Sequence, residues 1–104
     1  MANTRQKIKR RGDGVRFAGI PHAVMNHADW LQLSGSALRL LLEFVRQYNG
    51  RNNGDLTAAW SIMRARGFNS ESTLGAALAC LIRLGFVIRT REGRFSNPGK
   101  LCAL

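Results

Sequence analysis

The run Arg64-Ala-Arg-Gly-Phe-Asn-Ser70 constrains this chain more than any other stretch. Before it, Ala58, Ala59, Ile62 and Met63 recur at helical spacing, and Gly67 is placed to stop that helix. Ser70 then offers an N-cap, and Glu71 to Leu84 continues at helical spacing until Gly85 stops it. Two helices joined by about three or four residues, with a glycine in the turn, make the helix-turn-helix pattern. The sequence therefore predicts helices over 58–66 and 71–84 joined by a tight corner.

The flanks supply what would pack on that corner. Ser34-Gly35-Ser36 carries an N-cap, and Leu38, Leu41, Leu42, Val45 and Tyr48 recur at helical spacing up to Asn49-Gly50, which predicts a helix over 36–48. Leu40 and Phe44 widen its apolar arc beyond one face and leave Arg39, Glu43 and Arg46 to solvent, so the helix is expected either to be central or to carry a partner surface, with Leu40 and Phe44 the candidate partner or homodimer residues. Ahead of it, Pro21 opens a short helix over 22–26, and Trp30, Leu31 and Leu33 turn toward a core. Asn49 to Asp55 is turn chemistry, with Leu56-Thr57 a candidate short strand after it. Past Gly85 the period changes: Phe86-Val-Ile-Arg-Thr90 is β-branched and aromatic, and the sequence predicts a hairpin pairing 86–90 with 100–104. Leu38, Leu41, Val45, Leu74, Leu78, Leu81 and Phe86 are expected to share the core. The fold class expected is mainly α with a small β-hairpin.

Charge then narrows the partner. Lys and Arg number 16 against 6 Asp and Glu, a formal net charge of +10 in 104 residues, and all but Lys7, Lys9 and Lys100 are arginine. Such a balance points to a polyanion, and arginine forks suit phosphates and guanine edges. The excess is uneven: residues 1–16 carry +5 and residues 17–57 balance at 0. Residues 1–14 are read as a flexible basic arm through Arg5, Lys7, Lys9, Arg10 and Arg11, and 15–104 as one folded domain.

On a helical wheel, Leu74, Ala77, Leu78 and Leu81 cluster on one side of the helix over 71–84, with Ser72, Ala76, Ala79 and Arg83 opposite. A helix lying flush in the DNA major groove favours short side chains flanked by longer donors. Ser72, Thr73 and Ala76 are therefore the candidate base-side residues, with Ser70 at the cap also among the DNA-binding candidates, Arg64 and Arg66 on one flank and Arg89, Arg91 and Arg94 on the hairpin. Each arginine alone could be an ordinary solvated surface residue; their joint placement carries the reading.

Residues 17–104 resemble the winged helix-turn-helix domains of bacterial mobile elements, that is, phage and plasmid replication or regulatory proteins. The resemblance rests on Leu33-Ser-Gly-Ser-Ala37, Asn52-Asn-Gly-Asp-Leu56, Arg66-Gly-Phe-Asn-Ser70, Ser72-Thr-Leu74, Leu78 with Leu81, Gly85-Phe-Val-Ile-Arg-Thr-Arg91 and Leu101-Cys-Ala-Leu104. It implies a winged helix whose second motif helix reads double-stranded DNA in the major groove while the hairpin wing grips the adjacent backbone or minor groove. A small regulator or accessory replication factor is the implied role.

Other classes find little support. His22 and His27 are five apart, off the spacing that sets two ligands on one helix face, and the carboxylates fall singly, so no enzyme, metal or cofactor is expected. Cys80 and Cys102 match neither zinc spacing nor a disulfide framework and are expected to stay reduced. No apolar run reaches a membrane span and the basic start lacks the apolar stretch of a signal peptide, so a cytoplasmic location is expected. Two rivals to duplex binding remain: an RNA-binding module, for which Phe95 is the one candidate stacking platform, and a protein-interaction domain using Leu40 and Phe44. Phe17, Trp30, Phe44, Tyr48, Trp60, Phe68 and Phe86 all lie in apolar contexts.

Overall fold

A computed structural model describes residues 17–49, 51–52 and 54–96. The elements in chain order are α1 (His22–Met25), a 3-10 turn (Trp30–Gln32), α2 (Gly35–Gln47), α3 (Trp60–Met63), α4 (Glu71–Arg83) and the hairpin strands β1 (Ile88–Arg91) and β2 (Arg94–Ser96). The described chain is thus mainly helical with a small two-stranded antiparallel sheet. No helix among the described residues is long and apolar enough to cross a membrane.

Both long helices start where their caps predict. The Ser34 hydroxyl accepts from the Ala37 amide at 3.1 Å, and the Ser70 hydroxyl from the Thr73 amide at 3.2 Å. At the other end of α4, the Gly85 amide donates to the Ile82 carbonyl at 3.1 Å and the Phe86 amide to the Leu81 carbonyl at 2.9 Å. This Schellman arrangement uses the positive φ of Gly85, +80°, and sends Phe86 straight into the core.

On α2, Ala37, Leu40, Leu41, Phe44 and Val45 are buried, an i, i+3, i+4, i+7, i+8 stripe facing chiefly α4. This stripe is rotated from the expected one: Leu42 is 43% exposed and Leu38 only half-buried, whereas Leu40 and Phe44 are wholly inside. Phe44 lies 5.8 Å, centroid to centroid, from Phe95 of the hairpin. Of the two expected readings the helix is thus the central one: Leu40 and Phe44 belong to the domain's own core and offer no partner or homodimer contact. Leu31 also departs from expectation at 80% exposed, while Trp30 and Leu33 do pack on the core. Phe17, expected in an apolar setting, is exposed. Leu78 is half-buried, and Cys80 is likewise half-buried against the core, with Cys102 outside the described residues.

The helix expected over 58–66 is shorter, because Ala59 is extended and serves as N-cap, and past Met63 the chain tightens into a 3-10 turn over Arg64–Arg66. Gly67 then takes φ +104°, a left-handed conformation that turns the chain into the Ser70 cap. A Cβ there would run into the Arg39 guanidinium. Gly75, inside α4, has nothing within 4 Å of a Cβ. The two glycines should respond with opposite signs in urea unfolding. Gly67→Ala is expected to cost at least about 1–2 kcal/mol, and Gly75→Ala to stabilise by about 0.4–1 kcal/mol. A Gly67→Ala protein as stable as the parent would contradict the corner described here.

The hairpin pairs Ile88 with Ser96, Arg89 with Phe95 and Arg91 with Arg94, with an irregularity between Arg89 and Arg91 and Gly93 at positive φ. The strand partner observed is 94–96, brought back by a tight turn at Glu92-Gly93; the expected partner 100–104 lies outside the described residues. Leu56 joins as a single antiparallel bridge to Phe95, with reciprocal amide–carbonyl bonds of 3.0 and 2.8 Å. Pairing goes no further because the Gln47 side-chain amide takes both backbone groups of Thr57, at 2.8 and 2.9 Å.

Candidate nucleic-acid interface

The outward face of α4 is small and polar as expected. Ser72, Thr73, Gly75, Ala76 and Ala79 are exposed, while Leu74, Ala77 and Leu81 anchor the opposite side. At the start of the helix the hydroxyls are joined to one another: Ser70 Oγ donates to Thr73 Oγ1 at 2.9 Å and lies 3.2 Å from Ser72 Oγ. Ser70 itself is half-buried and occupied with the cap, so Ser72, Thr73 and Ala76 present the accessible surface.

The flanking arginines divide by what holds them. Arg64 is exposed, with no partner among the described residues. On the hairpin, Arg89 sits over the Phe95 ring at 5.7 Å, and Arg94 Nη1 reaches the Gly93 carbonyl at 3.4 Å. Arg91 pairs with the exposed carboxylate of Asp55, and Thr90 Oγ1 donates to the Gly54 carbonyl, so the hairpin is tied to the 51–55 loop. An exposed pair of this kind is weak and easily exchanged for another anion. Phe95 is buried beneath Arg89, which removes the stacking platform the RNA reading needed. Arg5, Lys7, Lys9, Arg10 and Arg11 lie outside the described residues.

Arg66 is different. It donates Nε to Glu43 Oε1 at 2.9 Å and Nη2 to Glu43 Oε2 at 3.1 Å, a bidentate fork. Arg46 Nε reaches the same Oε1 at 3.2 Å, and Arg39 Nη2 donates to the Arg66 carbonyl at 3.2 Å. Glu43, expected in solvent, is buried under these groups. Burial pushes its carboxyl pKa up, but hydrogen bonds from Arg66 and Arg46, with their charges, outweigh that and leave it below the ordinary glutamate value. The ionised form is thus favoured by folding; its contribution to stability is present above the ordinary glutamate range and is lost as pH falls through the lowered value.

Arg39 and Arg46 were missed as site candidates by sequence reasoning. The available signal was their placement four residues before and three after Glu43, which puts all three on one helix face. Among the described residues no group of three or more His, Cys, Asp or Glu could hold a metal ion. No protein-family model, curated protein or solved structure matches the chain.

Proposed function

We propose that the folded domain is a winged helix-turn-helix that binds double-stranded DNA sequence-selectively. In this reading α4 lies in the major groove, and the hairpin serves as the wing on the neighbouring backbone. The observation that carries it is the small, exposed face of α4, with exposed arginines before it in the chain at Arg64 and after it at Arg89, Arg91 and Arg94. Short side chains let a helix approach base edges closely, and flanking guanidinium groups suit the phosphates on either side. Arg5, Lys7, Lys9, Arg10 and Arg11 add sequence-independent phosphate contacts. The role that fits a basic reader of this size is a small regulator or accessory replication factor of a phage, plasmid or integrated element, acting on DNA in the bacterial cytoplasm.

The test is selection of binding sites from random duplex DNA with the parent chain and two variants. Thr73→Ala is expected to change which bases are preferred, and Arg64→Gln to weaken all sequences alike. Uniform weakening by both variants would remove direct readout by α4.

A further inference from the structure

We propose that Arg46 and Arg66, held by the buried Glu43 carboxylate, and Arg39, held by the Arg66 carbonyl, form a binding site for a phosphodiester of duplex DNA beside the turn that leads into α4. This rests on the DNA-binding reading and adds to it a contact surface on α2, remote in sequence from the helix-turn-helix.

Charge is the first argument. Arg66 alone satisfies both oxygens of Glu43 through its fork. Neutralising one carboxylate needs one guanidinium, yet Arg46 also reaches Glu43 and Arg39 donates to the Arg66 carbonyl, so the cluster holds three positive groups against one negative. A structural lock would be complete without the surplus. Placing cations so close to one another is unfavourable unless an anion joins them, and a phosphodiester supplies one negative charge with acceptor oxygens suited to guanidinium forks.

Donor geometry is the second. Each guanidinium carries five N–H donors. Arg66 commits Nε and Nη2, Arg46 commits Nε, and Arg39 commits Nη2. The remaining donors have no partner among the described residues, and the Arg46 and Arg66 side chains are 51% and 43% exposed, so they face water. The carboxylate below and the Arg66 carbonyl beside them fix the forks in advance, which lowers the ordering cost when an anion arrives.

Position is the third. Arg66 ends the 3-10 turn, and Arg39 lies against Gly67, three residues before the Ser70 cap of α4. A phosphate held here would fix the depth and angle at which the start of α4 meets the groove, the part of a recognition helix that reads bases.

The test compares the parent chain with Arg39→Gln/Arg46→Gln and with Arg39→Lys/Arg46→Lys, leaving Arg66 to hold Glu43. The readouts are thermal unfolding and the salt dependence of affinity for a random-sequence duplex. The glutamine pair is expected to fold, to bind several-fold more weakly at low salt, and to lose about 0.9 from the log-log salt slope. The lysine pair keeps its charges and is expected to retain the slope, with affinity between the other two because the forks are gone. An unchanged slope and affinity in a folded glutamine pair would overturn the phosphate site while leaving the DNA reading intact. Loss of slope in the lysine pair equal to that in the glutamine pair would also overturn it. A parent chain that binds no duplex would remove the DNA reading and this site together.

Discussion

Phe86→Ala is expected to lower the stability of the domain by about 3–5 kcal/mol. Its ring is wholly buried and meets Trp30 edge-on at 6.4 Å, and its backbone amide closes the last turn of α4 on the Leu81 carbonyl. Truncation leaves a cavity where α4, the Trp30 turn and the start of the hairpin converge, and the rigid closure on Gly85 limits how far the chain can collapse into it. A domain of this size holds on the order of 5–15 kcal/mol in total, so the variant should be partly unfolded well below the parent's melting temperature. Leu78→Ala, at a half-buried site on the same helix, should cost less, about 1–2 kcal/mol. Urea unfolding of both checks the order. A Phe86→Ala loss below about 1 kcal/mol, or a larger loss for Leu78→Ala, would mean that the core has been placed wrongly.

Ala76→Glu is expected to leave stability within about 0.5 kcal/mol of the parent and to abolish measurable duplex binding. Position 76 is exposed in the middle of α4, and Glu is a good helix former, so nothing in the fold opposes the change. In the groove the new carboxylate would face base edges between two rows of phosphates. Like charges set against each other in an interface cost several kcal/mol, and every 1.4 kcal/mol is tenfold in affinity, so a loss of about 100-fold or more follows. Anisotropy titration with a labelled duplex, paired with a melting curve, separates this from misfolding. A folded Ala76→Glu protein that binds as well as the parent would take α4 out of the groove.

The helix caps and stops were legible because they depend on neighbours in sequence. Ser34, Ser70, Gly67 and Gly85 each act within four residues of themselves, and α4 follows its expected span to within one residue, Glu71–Arg83 against 71–84. The solvent face of α4 was legible for a related reason: its apolar residues fill only one arc, so the inner side is unambiguous. On α2 that condition fails. Leucines at 38, 40, 41 and 42, with Phe44 and Val45, cover so much of the wheel that periodicity fixes the width of the stripe but not its centre. The centre is set from a distance, by Phe95 against Phe44 and by Arg66 reaching back 23 residues to Glu43. The same distance hid the arginine cluster, since a carboxylate flanked by arginines on one helix reads as a solvated face until a third arginine closes over it. The observed strand at 94–96 was not foreseen because the apolar run Leu101–Leu104 is a stronger strand signal in sequence than the short Arg94-Phe-Ser96 segment. The Glu92-Gly93 turn and the reciprocal bonds between Phe95 and Leu56 favour the latter.

The most direct test of the central claim, that this basic helix-turn-helix is a duplex DNA reader, is the affinity of the whole chain for a random-sequence duplex as salt is raised from about 50 to 200 mM. With hairpin, Arg64, α2 cluster and basic arm all on phosphates, log Kd against log salt is expected to have a slope of roughly 4 or steeper, a loss of several hundred-fold in affinity across that range. A slope below about 1, or no binding at the lowest salt, would contradict it.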